Sequence, residues 1–380
     1  MIARRTAAAL AVLAALTALA ALTAGASGES KRERWDTRVL AVVPFPGYPA
    51  RAYVHPNGRI YVGTYESDAG VDVPSRLFEY RGDGQLSRSF TIKGQALGST
   101  HGIQAAISDS HGRMIVLDTN PARVLTLNLR NHKQRTYSSI PDVPTCSGAA
   151  AGADCSQAVS DNAAIPNYAA WGPDGSLYVT DYGQAAVWKV PPGGGKPELW
   201  LTSNKLDGVE FGTTGISLAA DRKTLLVGQG SSAGMGDGNP ATGKIYEVPI
   251  KSDGSHGSMT KLWESQPTDL PDGFAIARSG RIYVPMVGLT AQIAVVGPDG
   301  KELERFPDQP LTGENGSPVP FDSPSSVAFL GTRLIVANQS VIAGDTSHQA
   351  LLDVEVKERG LKPLVPKRAG FKPRPQVVLP

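Results

Sequence analysis

One strand–turn–strand pattern recurs six times along the chain, and this recurrence limits the fold more than any other feature. Each copy has a small or polar residue, a short apolar strand, a turn and a second apolar strand. The copies are Ala50–Thr64, Gln104–Asp118, Asn167–Asp181, Thr214–Gly228, Asp272–Met286 and Ser325–Asn338. Their turns fall at Gly58, Gly112, Gly175, Arg222, Gly280 and Gly331, a mean period of about 55 residues. A unit of that length holds four strands. A second hairpin follows the first in most units, as in RLFEYRGDGQLSRSF, VWKVPPGGGKPELWL, KIYEVPIKSDG and IAVVGPDGKELERF. Six such units without crossover helices predict an all-β, six-bladed β-propeller of four-stranded antiparallel blades. A β-sandwich would show shorter and more even spacing. The last unit shows only three strands, so Arg38–Val43 (RVLAVV), ahead of the first unit, is expected to complete the sixth blade and close the ring.

The ends of the chain read differently. Arg4 and Arg5 precede an Ala/Leu stretch from Thr6 to about Leu22, and Ala24-Gly25-Ala26 has the small-x-small form of a cleavage site. Residues 1–26 are therefore expected to be a cleavable signal peptide. The alternative, an uncleaved anchor, is disfavoured because the run is mostly Ala. The paired arginines leave the export route open. The propeller is assigned to 27–361, and the Pro/Lys-rich residues 362–380 to a tail that wraps the surface or is disordered. Cleavage would leave 35 basic against 35 acidic residues in a secreted, near-neutral protein. That balance argues against nucleic acid, which calls for a basic face, and no basic amphipathic helix suggests stable membrane insertion after cleavage. A small-molecule substrate or ligand is the expected partner; the sequence does not set an oligomeric state.

Cys146 and Cys155, the only cysteines, lie in a Ser/Gly/Ala-rich stretch. In an exported chain they read as a disulfide pinning a loop, because a metal site would need further ligands nearby. The insertion around Asn131–Ile165 that carries them could shape a substrate lid or a partner surface. Gly230–Gly234 matches G-x-S-x-G, but between two strands instead of at a strand-to-helix elbow. Gly238–Lys244 approaches a phosphate-binding loop, but Ile245 replaces the required Ser or Thr and a strand follows. The six histidines lack metal-ligand spacing, and His55 and His111 sit beside turns.

Counting eight residues back from each turn gives Ala50, Gln104, Asn167, Thr214 and Asp272, with Ser325 in approximate register in the sixth unit. Innermost propeller strands start at one face of the central channel, so these positions converge at its mouth. One carboxylate, two amides and hydroxyls are hard oxygen donors, suited to calcium more than zinc. The alternative is that they merely line a watery channel.

The segments PNYAAWGPDGSLYVTD and LPDGFAIARSGRIYV resemble the third and fifth blades of the family of senescence marker protein (regucalcin), gluconolactonase and luciferin-regenerating enzyme. The likeness covers most of residues 45–340 as a repeat pattern and is close only in these two segments. It implies a six-bladed propeller with a divalent metal, usually calcium, at the channel mouth, and lactone hydrolysis. On this resemblance Asn167 is a metal ligand, and Asp272 is a ligand also placed for acid/base work; Thr214 falls at a third ligand position. The chain departs from the family at Ala50, where the family has Glu, and at Thr214, where it has Asn. Glu66 or Glu210 would have to reach in from a loop to compensate. His101-Gly102-Ile103 is similar to the His-Gly-Ile of paraoxonase propellers, which implies proton transfer by His101.

The first expectation is thus an exported, metal-assisted hydrolase of a lactone or related ester, with the metal polarising the carbonyl and Asp272, or His101, moving the proton. The second is a non-catalytic propeller that binds a small molecule, glycan or protein at the same face. A third is a metal-free enzyme resembling the strictosidine synthase group.

Overall fold

The structure is a computed structural model that describes residues 31–65, 72–208, 212–231 and 241–371. Twenty-four strands among these residues form six four-stranded antiparallel sheets. Blade 1 contains β2 (Pro49–Val54), β3 (Ile60–Thr64), β4 (Arg76–Tyr80) and β5 (Leu86–Thr91). Blade 2 contains β6 (Ile103–Ser108), β7 (Met114–Thr119), β8 (Ala122–Leu127) and β9 (Gln134–Ser139). Blade 3 follows with β10 (Pro166–Trp171), β11 (Leu177–Asp181), β12 (Ala186–Val190) and β13 (Glu198–Thr202). Blade 4 has β14 (Thr213–Leu218), β15 (Thr224–Gln229), β16 (Lys244–Pro249) and β17 (Thr260–Glu264). Blade 5 has β18 (Ala275–Ile276), β19 (Ile282–Pro285), β20 (Ile293–Val296) and β21 (Glu302–Phe306). Blade 6 joins β22 (Pro324–Leu330), β23 (Arg333–Asn338) and β24 (Ala350–Glu355) to β1 (Thr37–Val42) from the other end of the chain.

The blades stack because their middle strands are apolar on both faces. Successive side chains on a strand point to opposite faces. In β3, Tyr61 enters the core shared with blade 2, while Ile60 and Val62 enter the core shared with blade 6. In β23, Leu334 and Val336 face blade 5, and Ile335 and Ala337 face blade 1. The six inner hairpin turns place Gly58, Gly112, Gly175, Arg222, Gly280 and Gly331 at φ between 60 and 90°. Glycine suits this left-handed conformation. Arg222 adopts it beside Asp221, whose carboxylate accepts from the Lys223 and Thr224 amides.

Ring closure is the predicted one: β1 pairs antiparallel with β24, Thr37 opposite Val354. The residues before β1 reinforce it. Arg32 pairs with Asp353 at 2.7 Å, and Trp35 stacks on Phe306 of blade 5 at 4.7 Å between centroids.

Past β24 the chain crosses the face opposite the channel mouth. It forms a bridge from Gly360 to Ala277 in blade 5, and the Lys362 carbonyl accepts from Arg222 in blade 4. It then reaches blade 2, where the Ala369 carbonyl accepts from Ser110 and Phe371 packs edge-on against Tyr137. Residues 362–371 are thus a strap under the ring, with Ala369 buried. The segment 1–26 assigned as a signal peptide lies outside the described residues. No helix among the described residues is long and apolar enough to cross a membrane.

Candidate functional site

The inner strands bring the predicted ring together and staple it in pairs between neighbouring blades. Gln104 donates from Nε2 to Asn167 Oδ1 at 2.9 Å, joining blades 2 and 3. Thr214 donates its hydroxyl to the Pro271 carbonyl at 3.2 Å, joining blades 4 and 5. Ser325 donates to the Ala50 carbonyl at 2.6 Å, joining blades 6 and 1. Among the ring residues, two side-chain oxygens are buried without a hydrogen-bond partner: Asp272 Oδ1 and Gln104 Oε1. Thr214, expected as a ligand, and Ser325, expected as a polar residue at the mouth, thus both tie strand ends together through their hydroxyls.

One residue further along the same strands lies a second layer that the sequence analysis missed: Arg51 in blade 1 and Tyr168 in blade 3. Tyr168 reaches across the channel and donates its hydroxyl to the Ser325 carbonyl at 3.0 Å. The equivalent residue in blade 5 is Gly273, and a Cβ there would stand 2.4 Å from the tyrosine ring, so only glycine leaves room. The Arg51 guanidinium lies 4.7 Å over the Tyr168 ring, a cation–π arrangement. Its Nη1 is buried without an acceptor. The usable signal was an arginine between Ala50 and Ala52 in a strand otherwise destined for the core, since arginine is almost never buried unless paired.

This neighbourhood sets the charge of Asp272. Burial pushes its carboxyl up to about 7, against a smaller downward pull from the Tyr168 hydroxyl and the Arg51 guanidinium. Burial, followed by the Asp272 carboxylate, holds the Tyr168 phenol well above its ordinary range. Burial lowers Arg51 to about 10, which leaves it cationic at neutral pH.

His101 does not join this cluster through its ring nitrogens. Nδ1 lies 2.7 Å from the Ser99 carbonyl and Nε2 lies 2.9 Å from the Val73 carbonyl. Both ring nitrogens thus face main-chain carbonyls and neither faces Asp272. Glu66 and Glu210, the two acids that would replace the missing Glu, lie outside the described residues. So do Ser232 to Gly234 of the G-x-S-x-G motif. In the near-miss phosphate loop, the Lys244 ammonium is buried in blade 4, 2.8 Å from the Thr242 carbonyl and 3.7 Å from Glu264.

The disulfide between Cys146 and Cys155 is present. It closes a small loop within the connection from β9 to β10, on the mouth face. That connection begins after Ser139, since residues 134–139 of the expected insertion are strand β9. It is fastened to blade 3 by Ser156 Oγ on the Gln184 carbonyl and by the Gln157 amide on Thr202 Oγ1.

Beyond the Arg51–Tyr168 layer the channel widens into a cavity of about 610 Å3. It runs along the inner strands toward the strap, and its walls include Arg51 and Tyr168 but none of the ring residues Gln104, Asn167, Thr214, Asp272 and Ser325. This cavity therefore lies on the far side of the polar ring.

No protein-family model matches the chain, and no curated protein matches it. Solved structures do. Regucalcin from Agrobacterium tumefaciens, a calcium-binding protein, is 15% identical with a TM-score of 0.56, over 86% of this chain and 96% of its own. A gluconolactonase from Xanthomonas campestris is 15% identical with a TM-score of 0.54, over 82% and 86%. A luciferin-regenerating enzyme is 13% identical with a TM-score of 0.53, over 85% and 96%. What they share with this chain is the fold. These are the propellers that the blade 3 and blade 5 segments resemble.

Proposed function

We propose that the protein is an exported hydrolase of a lactone or related ester, with Asp272 as its acid/base group. The observation that carries this reading is a buried carboxyl with one unpartnered oxygen and a pKa of about 7, at the point where six inner strands converge. A group titrating near the working pH serves both as base and as acid. Asp272 would take a proton from water as the water oxygen bonds to the acyl carbon. It would return that proton to the alkoxide as the ring C–O bond breaks. Proton transfer of this kind contributes roughly 100- to 10,000-fold in rate.

The neighbours' names suggest a divalent cation at this mouth. The described ring residues do not by themselves make up a calcium cage; Glu66 and Glu210 lie outside the described residues. Calcium takes about six to eight oxygens, whereas Ala50 supplies no side-chain oxygen and Asn167 Oδ1 already accepts from Gln104. Among the described ring residues, the buried side-chain oxygens without a partner are Asp272 Oδ1 and Gln104 Oε1, and the Arg51 guanidinium already acts on Asp272 as a positive charge. No step of the reaction is therefore assigned to a metal.

The test is hydrolysis of δ-gluconolactone and of an aromatic lactone by the mature protein and by Asp272→Asn. The expected result is a rate that rises with a midpoint near pH 7 and falls at least about 100-fold in the variant. Unchanged turnover in Asp272→Asn would remove Asp272 from the chemistry. No turnover of either lactone would favour the binding reading, which the 610 Å3 cavity also supports.

A further inference from the structure

The cavity beyond the ring has a distinctive lining. Its wall is largely apolar, with Ile107, Trp171, Ile216, Phe274, Val327 and Leu364 among its residues. Its charged residues are Arg51, Arg278, Arg359 and Lys362, and no Asp or Glu lines it. The four cations occupy its two ends. Arg51 stands at the inner end, half-buried, lining the cavity and with its buried Nη1 lacking an acceptor. Arg278, Arg359 and Lys362 are exposed at the rim where the strap crosses. A volume of 610 Å3 falls within the range of small-molecule sites, which are mostly apolar with a few placed polar groups.

A cationic side chain with a buried N–H that lacks an acceptor is held at a cost. The Asp272 carboxyl, across the layer, offsets that cost only in part, because burial keeps it from being fully ionised near neutral pH. An anion arriving from the cavity would complete the arrangement, and the apolar wall specifies what the rest of that molecule is like. From the level of Arg51 to that of His55, just past the end of β2, the channel extends four residue steps, roughly 13 Å, enough for an extended medium-length chain.

We propose that this cavity is a binding site for a monoanionic amphiphile, a carboxylate on an unbranched apolar body. The carboxylate would sit on Arg51 and the chain would lie along the inner strands toward the strap. The basic rim would draw the anion in and disfavour cations. This proposal does not require hydrolysis at Asp272, because the cavity wall contains none of the ring residues, although Arg51 and Tyr168 adjoin both.

The experiment is titration calorimetry of the mature protein with decanoate, decanol and decylammonium, each below its aggregation concentration. Decanoate is expected to bind one site, at least about tenfold more tightly than decanol, with no saturable binding of decylammonium. Arg51→Met, which replaces the unpaired charge with an apolar side chain of similar length, should remain folded and lose at least about tenfold in decanoate affinity while binding decanol as before. Ala328→Trp, which fills the cavity from β22 well away from Arg51, should lose both ligands and leave lactone hydrolysis unchanged. Equal binding of decanoate and decanol, undiminished decanoate binding by Arg51→Met, or no saturable decanoate binding by the wild type would each overturn the proposal. Loss of lactone turnover in Asp272→Asn with decanoate binding intact would separate this site from the proposed chemistry.

Discussion

Replacing Asp272 by Asn should change how stability depends on pH, and the size of the change follows from its surroundings. Burial raises the Asp272 carboxyl from 3.8 to about 7 in the folded protein, while in the unfolded chain it titrates near its ordinary value. Between those limits the folded state holds a proton that the unfolded state releases, so stability falls as pH rises. A shift of about three units is worth about 4 kcal/mol, present in full below pH 4 and lost by about pH 7. Asn has the same shape and no titration. Stability measured by denaturant titration at pH 4 and pH 8 should therefore shift by about 4 kcal/mol in favour of Asp272→Asn over that interval. Asp181, also raised by burial, to about 6, slopes the same way in both proteins and cancels in the difference. A wild-type/variant difference that stays flat within about 1 kcal/mol would refute the reasoning. It would mean that Asp272 is ionised throughout, held so by Arg51 or by a bound cation.

Three further outcomes are expected. Calcium titrated into metal-stripped protein should give no saturable heat up to about 1 mM, the weak end of protein calcium sites; micromolar one-site binding would overturn the oxygen count at the mouth. The double variant Cys146→Ser/Cys155→Ser should lose less than about 2 kcal/mol of stability, because the loop is short and its ends are already joined by Cys146 N to the Ser156 carbonyl and Ser156 N to the Pro144 carbonyl. Decanoate binding by this variant should be unchanged. Trp35→Ala removes the stack on Phe306 and should cost about 2 kcal/mol; hydrogen exchange should show β1 amides exposed before those of β23, and equal protection would mean that the closure does not depend on this latch.

The fold was legible because it is written locally and six times over. Each hairpin needs a left-handed residue at a fixed place, and Gly58, Gly112, Gly175, Gly280 and Gly331 announce it. Arg222 fits the same slot through its neighbour Asp221. The closing strand could be found because blade 6 was one strand short and RVLAVV stood unassigned. The ring positions were also readable by counting, since equivalent residues of a repeat converge on its axis.

What each ring residue does was not readable in this way. Thr214 and Ser325 read in the sequence as polar residues at the mouth, and their role as hydrogen-bonded staples shows only in the fold, since the neighbouring blade supplies the carbonyls they reach. His101 carries a suggestive motif, and its two nitrogens meet the carbonyls of Ser99 and Val73. Arg51, 117 residues from Tyr168 and still farther from Asp272, had no visible partner until the ring closed.

The sequence by itself determined the number of blades, the strands in each, the way the ring closes and which residues reach the axis. Those properties follow from period, turn chemistry and apolar alternation, all short-range. Only the tertiary structure decided the charge state of Asp272, the absence of an acceptor at Arg51, and the position of the roomy, acid-free cavity beyond the ring. These depend on burial and on distances across the channel, and no local pattern encodes them.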